Sequence, residues 1–158
     1  MDATTMPSIH SLLPSLIADY PGITFLSGDL FSWSPSRQTV YYNEADPSNV
    51  ELFLHELSHG LLEHRRYSKD VELLAMEAAA WSKAQEIAQK YDITISEDTA
   101  EDNLDTYREW MHARSSCPTC EAIGYQIKKD TYHCVACDAS WRVNEARLCG
   151  LKRYTLTK

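Results

Sequence analysis

The pattern of hydrophobic and polar positions marks four helical stretches along the chain, and three short β-like runs lie between the first stretch and the second. Ile9, Leu12, Leu13, Leu16 and Ile17 mark a short amphipathic helix over residues 7–19, with Pro14 inside it and Pro21-Gly22 stopping it. Residues 23–26, 30–34 and 39–43 are rich in β-branched and aromatic side chains. The turn-forming stretches 27–29 and 35–38 between them predict a small antiparallel meander. Ser48-Asn-Val-Glu51 has the capping-box pattern and opens a helix running to about Arg65. A second long helix, from about Lys69 to Tyr91, is rich in Ala, Leu, Glu and Lys and contains no Gly or Pro. A third, more polar, spans about Thr99 to Arg114. Beyond Ser115-Ser116 the helical period stops, and β-like pieces at 125–129, at Tyr132 and at 141–143 lie among cysteines. The expected class is α+β, with a short sheet and two long helices followed by a small cysteine module.

The 158 residues suffice for one core and a small appended module. Apolar residues make up 44% and charged residues 24%, which excludes a disordered chain. No apolar run approaches the roughly 20 residues of a membrane span, and the N-terminus has no basic segment of a secretory signal. The expectation is therefore a cytoplasmic protein without membrane attachment, whose five cysteines stay reduced and whose paired CxxC motifs hold metal rather than form disulfides. Net charge changes the picture further. Residues 1–114 carry 8 Lys+Arg against 19 Asp+Glu, whereas residues 115–158 carry 7 against 4. This asymmetry predicts two units, 1–114 and 115–158. The acidic unit would repel a phosphate backbone, and the mildly basic tail permits nucleic-acid contact without requiring it.

The run LFLHELSHGLL, Leu52 to Leu62, places His55 and His59 four apart among leucines. On a helix they share a face one turn apart and can hold one cation between their imidazoles, with Glu56 beside them. This is the H-E-x-x-H arrangement of a zinc peptidase, in which the glutamate takes the proton of an activated water. Two unpartnered histidines in so apolar a run would be costly.

A catalytic zinc takes a third protein ligand and keeps one position open. His64 lies only five residues past His59 on the same expected helix, and could reach the same metal only if the helix broke after Gly60. The following helix is the better source. Glu86 sits among Ser82, Lys83, Gln89 and Lys90, a solvated face, and Glu72 is in an intermediate setting. Glu77 neighbours Leu73, Leu74, Ala80 and Trp81, so it leaves an apolar stripe and needs a partner. Glu77 is the favoured ligand and Glu72 the second choice. The alternative for Glu77 is an ion pair with Arg65 or Arg66.

HELSHGLLEH followed by AMEAAAW resembles the ImmA/IrrE-type metallopeptidases, over roughly residues 20–90. Their pattern is an HExxH helix with another histidine five residues on, then an E-A-x-x-aromatic segment on the next helix. Ala79 stands where that segment usually carries a polar residue. The resemblance implies a zincin-like fold, zinc on His55, His59 and Glu77, and Glu56 as catalytic base. It also implies a protein substrate such as a DNA-bound repressor. SprT-like peptidases likewise join HExxH to a zinc ribbon, but take their third ligand from a downstream histidine, and none occurs here between His64 and His112. An oxyanion donor beyond the metal is sought among Tyr41, Tyr42, His64 and Tyr67. The strand at 39–43 is read either as an edge that pairs with an extended peptide or as an ordinary sheet strand.

Cys117-Pro-Thr-Cys120 and Cys134-Val-Ala-Cys137 form C-x2-C-x13-C-x2-C. Four thiolates in two knuckles make a closed structural zinc site, and the β-like pieces around them match a zinc ribbon. A redox CxxC would sit near a βαβ pattern, which is absent. Cys149 is left over as a small hydrophobe. Lys128, Lys129, Arg142, Arg147, Lys152 and Arg153 let the ribbon grip nucleic acid or dock a protein, or it is simply a stabilising appendage. Two readings result: a cytoplasmic zinc endopeptidase acting on a protein or peptide substrate, and a zinc-ribbon adaptor for nucleic acid or protein without peptidase activity. Glu56 separates them, because a purely structural site has no use for a carboxylate beside the metal.

Overall fold

The structure is a computed structural model describing residues 7–147 and 149–157. Among the described residues it is a mixed α+β protein with four helices and two small sheets, and no helix is long and apolar enough to cross a membrane. The chain forms two compact units, Met1–Arg65 with Met76–Glu97 and Arg66–Ala75 with Asp98–Lys158. The cysteine-bearing unit thus takes in most of the helix expected on the other side of residue 114, and the start of the helix before it.

In unit 1, α1 (Ile9–Asp19) begins at Ser8, whose hydroxyl oxygen accepts from the Ser11 N–H, and buries Ile9, Leu12 and Leu16. Strands β1 (Thr24–Gly28), β2 (Ser32–Ser34) and β3 (Thr39–Asn43) form a sheet in the order β1-β3-β2. β1 runs parallel to β3, and β2 antiparallel to it. The antiparallel meander is therefore corrected, and of the two readings of 39–43 the ordinary sheet strand holds, since β3 is flanked on both sides. The reason is burial: Thr39, Val40 and Tyr42 are covered, whereas β1 is largely exposed, so the strand with the most covered side chains takes the centre.

Helix α2 (Val50–Leu61) packs on β2 and β3 and buries Phe53, Leu54 and Leu57. Its N-cap is Asn49, whose side chain accepts from the Leu52 N–H at 3.2 Å, not the Ser48 of the expected capping box. Asn is as good a cap as Ser, and the Ser48 hydroxyl turns to Asp46 instead. The helix also ends four residues earlier than expected. Glu63 adopts a left-handed φ of 56°, its N–H returning to Gly60 O at 3.1 Å and the His64 N–H to His59 O at 2.9 Å. This is a Schellman ending with glutamate where glycine is usual, so no glycine announced the stop.

α3 (Asp70–Lys90) gives its first six residues to unit 2 and the rest to unit 1, where Ala80, Trp81, Ala84 and Ile87 are buried. Unit 2 contains nearly all of α4 (Glu97–Ser115) and a four-stranded antiparallel sheet in sequential order. Its strands are β4 (Tyr125–Lys128), β5 (Thr131–His133), β6 (Ser140–Val143) and β7 (Arg153–Leu156). Its small core is Cys117, Tyr132, Cys134, Trp141 and Val143, with the Tyr132 and Trp141 rings stacked at 5.7 Å. Gly124 is required there: a Cβ would stand 2.5 Å from the Trp141 ring and 2.6 Å from His133 O. A buried ion pair adds rigidity. Arg114 Nε donates to Asp70 Oδ2 and to Tyr132 Oη, both at 3.0 Å, and Tyr132 Oη donates to Asp70.

Candidate metal centres

The first centre is built by α2 and α3. Four-residue spacing on α2 stacks His55 and His59, whose Nε2 atoms stand 3.2 Å apart. Glu77 enters from α3 with one oxygen for each ring: Oε2 is 2.8 Å from His55 Nε2 and Oε1 is 3.2 Å from His59 Nε2. All three are buried, at 2%, 8% and 6% exposure. Two ligands about 2.0–2.1 Å from one ion in tetrahedral directions stand roughly 3.3 Å apart, so these spacings suit a shared metal ion. His55, His59 and Glu77 form a group that can hold one.

Electrostatics follow from burial around one carboxylate. Burial lowers His55's proton affinity, against the pull of Glu77. At His59 burial acts the same way, but the bond to Glu77 and its charge outweigh it and raise the pKa. Burial pushes Glu77 upward, yet its bonds to the two imidazoles hold it down at about 2. Glu77 is thus ionised and aimed at both rings, as a ligand must be. Glu56 is half-buried, and burial pushes its carboxyl up to about 7, the charge of His59 opposing and that of Glu77 adding.

The surroundings orient the ligands. His55 stacks on Trp81 at 4.2 Å with planes 24° apart, while its Nδ1 is buried without a hydrogen-bond partner. His59 Nδ1 meets His64 Nδ1 at 2.9 Å. The Schellman ending makes this contact by turning the chain back after Leu62, and Trp33 Nε1 pins it by donating to His64 O at 3.2 Å. His64 therefore reaches His59 rather than the carboxylate. Such partners at the far ring nitrogen fix tautomer and orientation. Sequence reasoning weighed His64 as a ligand and as an oxyanion donor but not as a partner of His59, since a continuous helix would have pointed it away.

The other candidates lie elsewhere. Glu72 is exposed and accepts from the Ser68 N–H at 3.0 Å, a helix-start contact. Glu86 is exposed and pairs with Lys83. Of the four oxyanion candidates, Tyr42 is buried against Phe53, the Tyr41 hydroxyl accepts from Arg37, and Tyr67 belongs to unit 2. His64 alone among them contacts one of the three converging residues in the described structure.

The second centre lies wholly in unit 2. Cys117 Sγ is 3.6 Å from Cys137 Sγ, and Cys120 Sγ is 3.5 Å from Cys134 Sγ. These distances exclude disulfides, which need about 2.05 Å, and approach the roughly 3.8 Å between thiolates 2.3 Å from a tetrahedral ion. The four cysteines can hold a metal ion. The two knuckles repeat one backbone pattern. Cys117 N–H donates to Ala122 O and Cys134 N–H to Ala139 O; Glu121 N–H donates to Cys117 O and Asp138 N–H to Cys134 O. Glu121 and Asp138, each just past a second cysteine, have φ of 66° and 65°. Burial opposes ionisation of Cys117, but backbone N–H groups of Cys120 and Thr119 hold its thiol down at about 6. Cys149 is exposed and outside the cluster, not the buried hydrophobe expected.

Compared with known proteins, the chain matches no family model, no curated protein and no solved structure.

Proposed function

We propose that the protein is a zinc-dependent endopeptidase of the ImmA/IrrE kind, with a zincin-like catalytic unit and a zinc ribbon as its second unit. The observation that carries this reading is the convergence of His55, His59 and both oxygens of Glu77 within α2 and α3, with Glu56 next in sequence to a ligand. A zinc ion bound there supplies Lewis acidity toward water and a peptide carbonyl. His55, His59 and Glu77 hold it, His64 and Trp81 orient the two imidazoles, and Glu56 accepts the proton of the attacking water and passes it to the leaving amine. A purely structural site makes no use of that carboxylate, which weighs against the adaptor reading. The ribbon's Cys117, Cys120, Cys134 and Cys137 hold the second zinc. A substrate strand would pair with β1 or β2, the strands that leave an edge open, because β3 is flanked on both sides.

The test is Glu56→Gln. The variant retains two zincs per chain and loses cleavage of an unfolded protein substrate by at least about 10²-fold. Equal cleavage by variant and wild type refutes the mechanism. Absence of cleavage by both, with zinc present at the first centre, refutes the peptidase reading.

A further inference from the structure

Unit 2 contains a cavity of about 710 Å³ that neither metal centre touches. Of the six basic residues singled out in the tail, three converge on it: Lys129, Arg142 and Arg147, joined by Arg114 from α4. Arg153 turns away, donating to Ser116 O, and Lys128 and Lys152 do not line the cavity. Unit 2 as a whole carries 11 Lys+Arg and 11 Asp+Glu, so this concentration of cations is local.

The four cations play different parts. Arg114 is structural: its donors go to Asp70, Tyr132, Asn144 O and Lys129 O. Lys129, Arg142 and Arg147 are exposed, and among the described residues none of the three forms an ion pair with a carboxylate. Each instead rests on an aromatic ring. Lys129 Nζ lies 5.2 Å from the Tyr67 ring, and the Arg142 guanidinium 5.2 Å from Tyr154. The Arg147 guanidinium lies 4.4 Å from Tyr107 and 5.2 Å from Trp110. An arginine held against aromatic faces keeps its planar fork available for bidentate bonds to phosphate.

We propose that this cavity binds a nucleotide, either free or as a unit of a single nucleic-acid strand. Arg142, Arg147 and Lys129 take its phosphate, and Asp130 and Glu145, which line the same cavity, accept from sugar hydroxyls or a base amino group. The volume falls in the range of small-molecule pockets and exceeds what inorganic phosphate fills. The two carboxylates in the lining would repel an acidic peptide, whose side chains bring only further negative charge, and they suit a ligand that brings hydroxyl or amino donors along with its phosphate.

The experiment uses the full-length metal-loaded protein and measures binding of a fluorescein-labelled oligothymidylate 12-mer and of AMP, with inorganic phosphate and polyglutamate as competitors. The Arg142→Gln/Arg147→Gln variant is expected to bind about tenfold or more weakly. Lys128→Gln, outside the cavity, and Glu56→Gln bind as wild type, so a failure of the peptidase reading leaves this result untouched. AMP that binds and displaces the strand identifies a free nucleotide as a source; binding of the strand alone identifies single-stranded nucleic acid. The proposal is overturned if neither binds, or if the double variant binds as wild type. Equal weakening by Lys128→Gln also overturns it, as does displacement by inorganic phosphate or polyglutamate as effective as by AMP.

Discussion

Replacing Gly60 with alanine tests the packing that holds the first centre. Alanine in a helix is ordinarily favoured over glycine by about 1 kcal/mol, so α2 taken alone is expected to gain. The tertiary structure reverses the sign. A Cβ at Gly60 would stand 2.8 Å from the Trp33 ring, closer than real contacts allow. Overpacking of this kind costs about 1–3 kcal/mol. If Trp33 swings clear, its bond to His64 O is lost, a further cost of about 0.5–1.5 kcal/mol. The net expectation is a destabilisation of about 1–3 kcal/mol, read as a lower urea midpoint followed by circular dichroism. Gly22→Ala is the control, since nothing lies within 4 Å of a Cβ there. In the Trp33→Leu background the Gly60→Ala cost should fall by at least about 1 kcal/mol, the coupling of a double-mutant cycle. A Gly60→Ala variant as stable as wild type, or a cost unchanged by Trp33→Leu, refutes the reasoning.

Three further outcomes are expected. Glu77→Gln lowers metal affinity at the first centre at least tenfold in a competition titration with a chromophoric chelator, because a neutral amide is a poorer ligand, while Glu72→Gln leaves it unchanged. Arg114→Leu leaves Asp70 buried without its cation and destabilises unit 2 by about 3–5 kcal/mol, visible as amide exchange accelerating across β4–β6. Cys117→Ser removes one metal equivalent by elemental analysis and loosens residues 115–147, while the amides of α2 stay protected.

Local sequence determined much of this protein. Apolar spacing in the first helix, a cap signal ahead of the second and helix-forming composition in the third were enough to locate these helices, because each is a local property of the chain. His55 and His59 were legible as a pair from spacing alone, and the two CxxC motifs from theirs. Glu77 was legible as a carboxylate out of place among apolar neighbours, which is why it, and not Glu72, converges with the histidines.

What remained needed contacts that lie far apart in sequence. The order β1-β3-β2 depends on which strand is covered from both sides, and strand period says only which face is covered. The stop of α2 is written in no glycine; Glu63 takes the left-handed position, and Trp33, 31 residues before His64 in sequence, holds the turned chain by one hydrogen bond. From this follows the His59–His64 contact that an uninterrupted helix would forbid. The thiolate centre's unit likewise reaches beyond its cysteines, because Asp70 and Arg114, 44 residues apart, pair in a buried network with Tyr132. Spacing along one helix is fixed by the chain itself, but the partner of a buried charge is chosen only when folding brings distant residues to the same dry place.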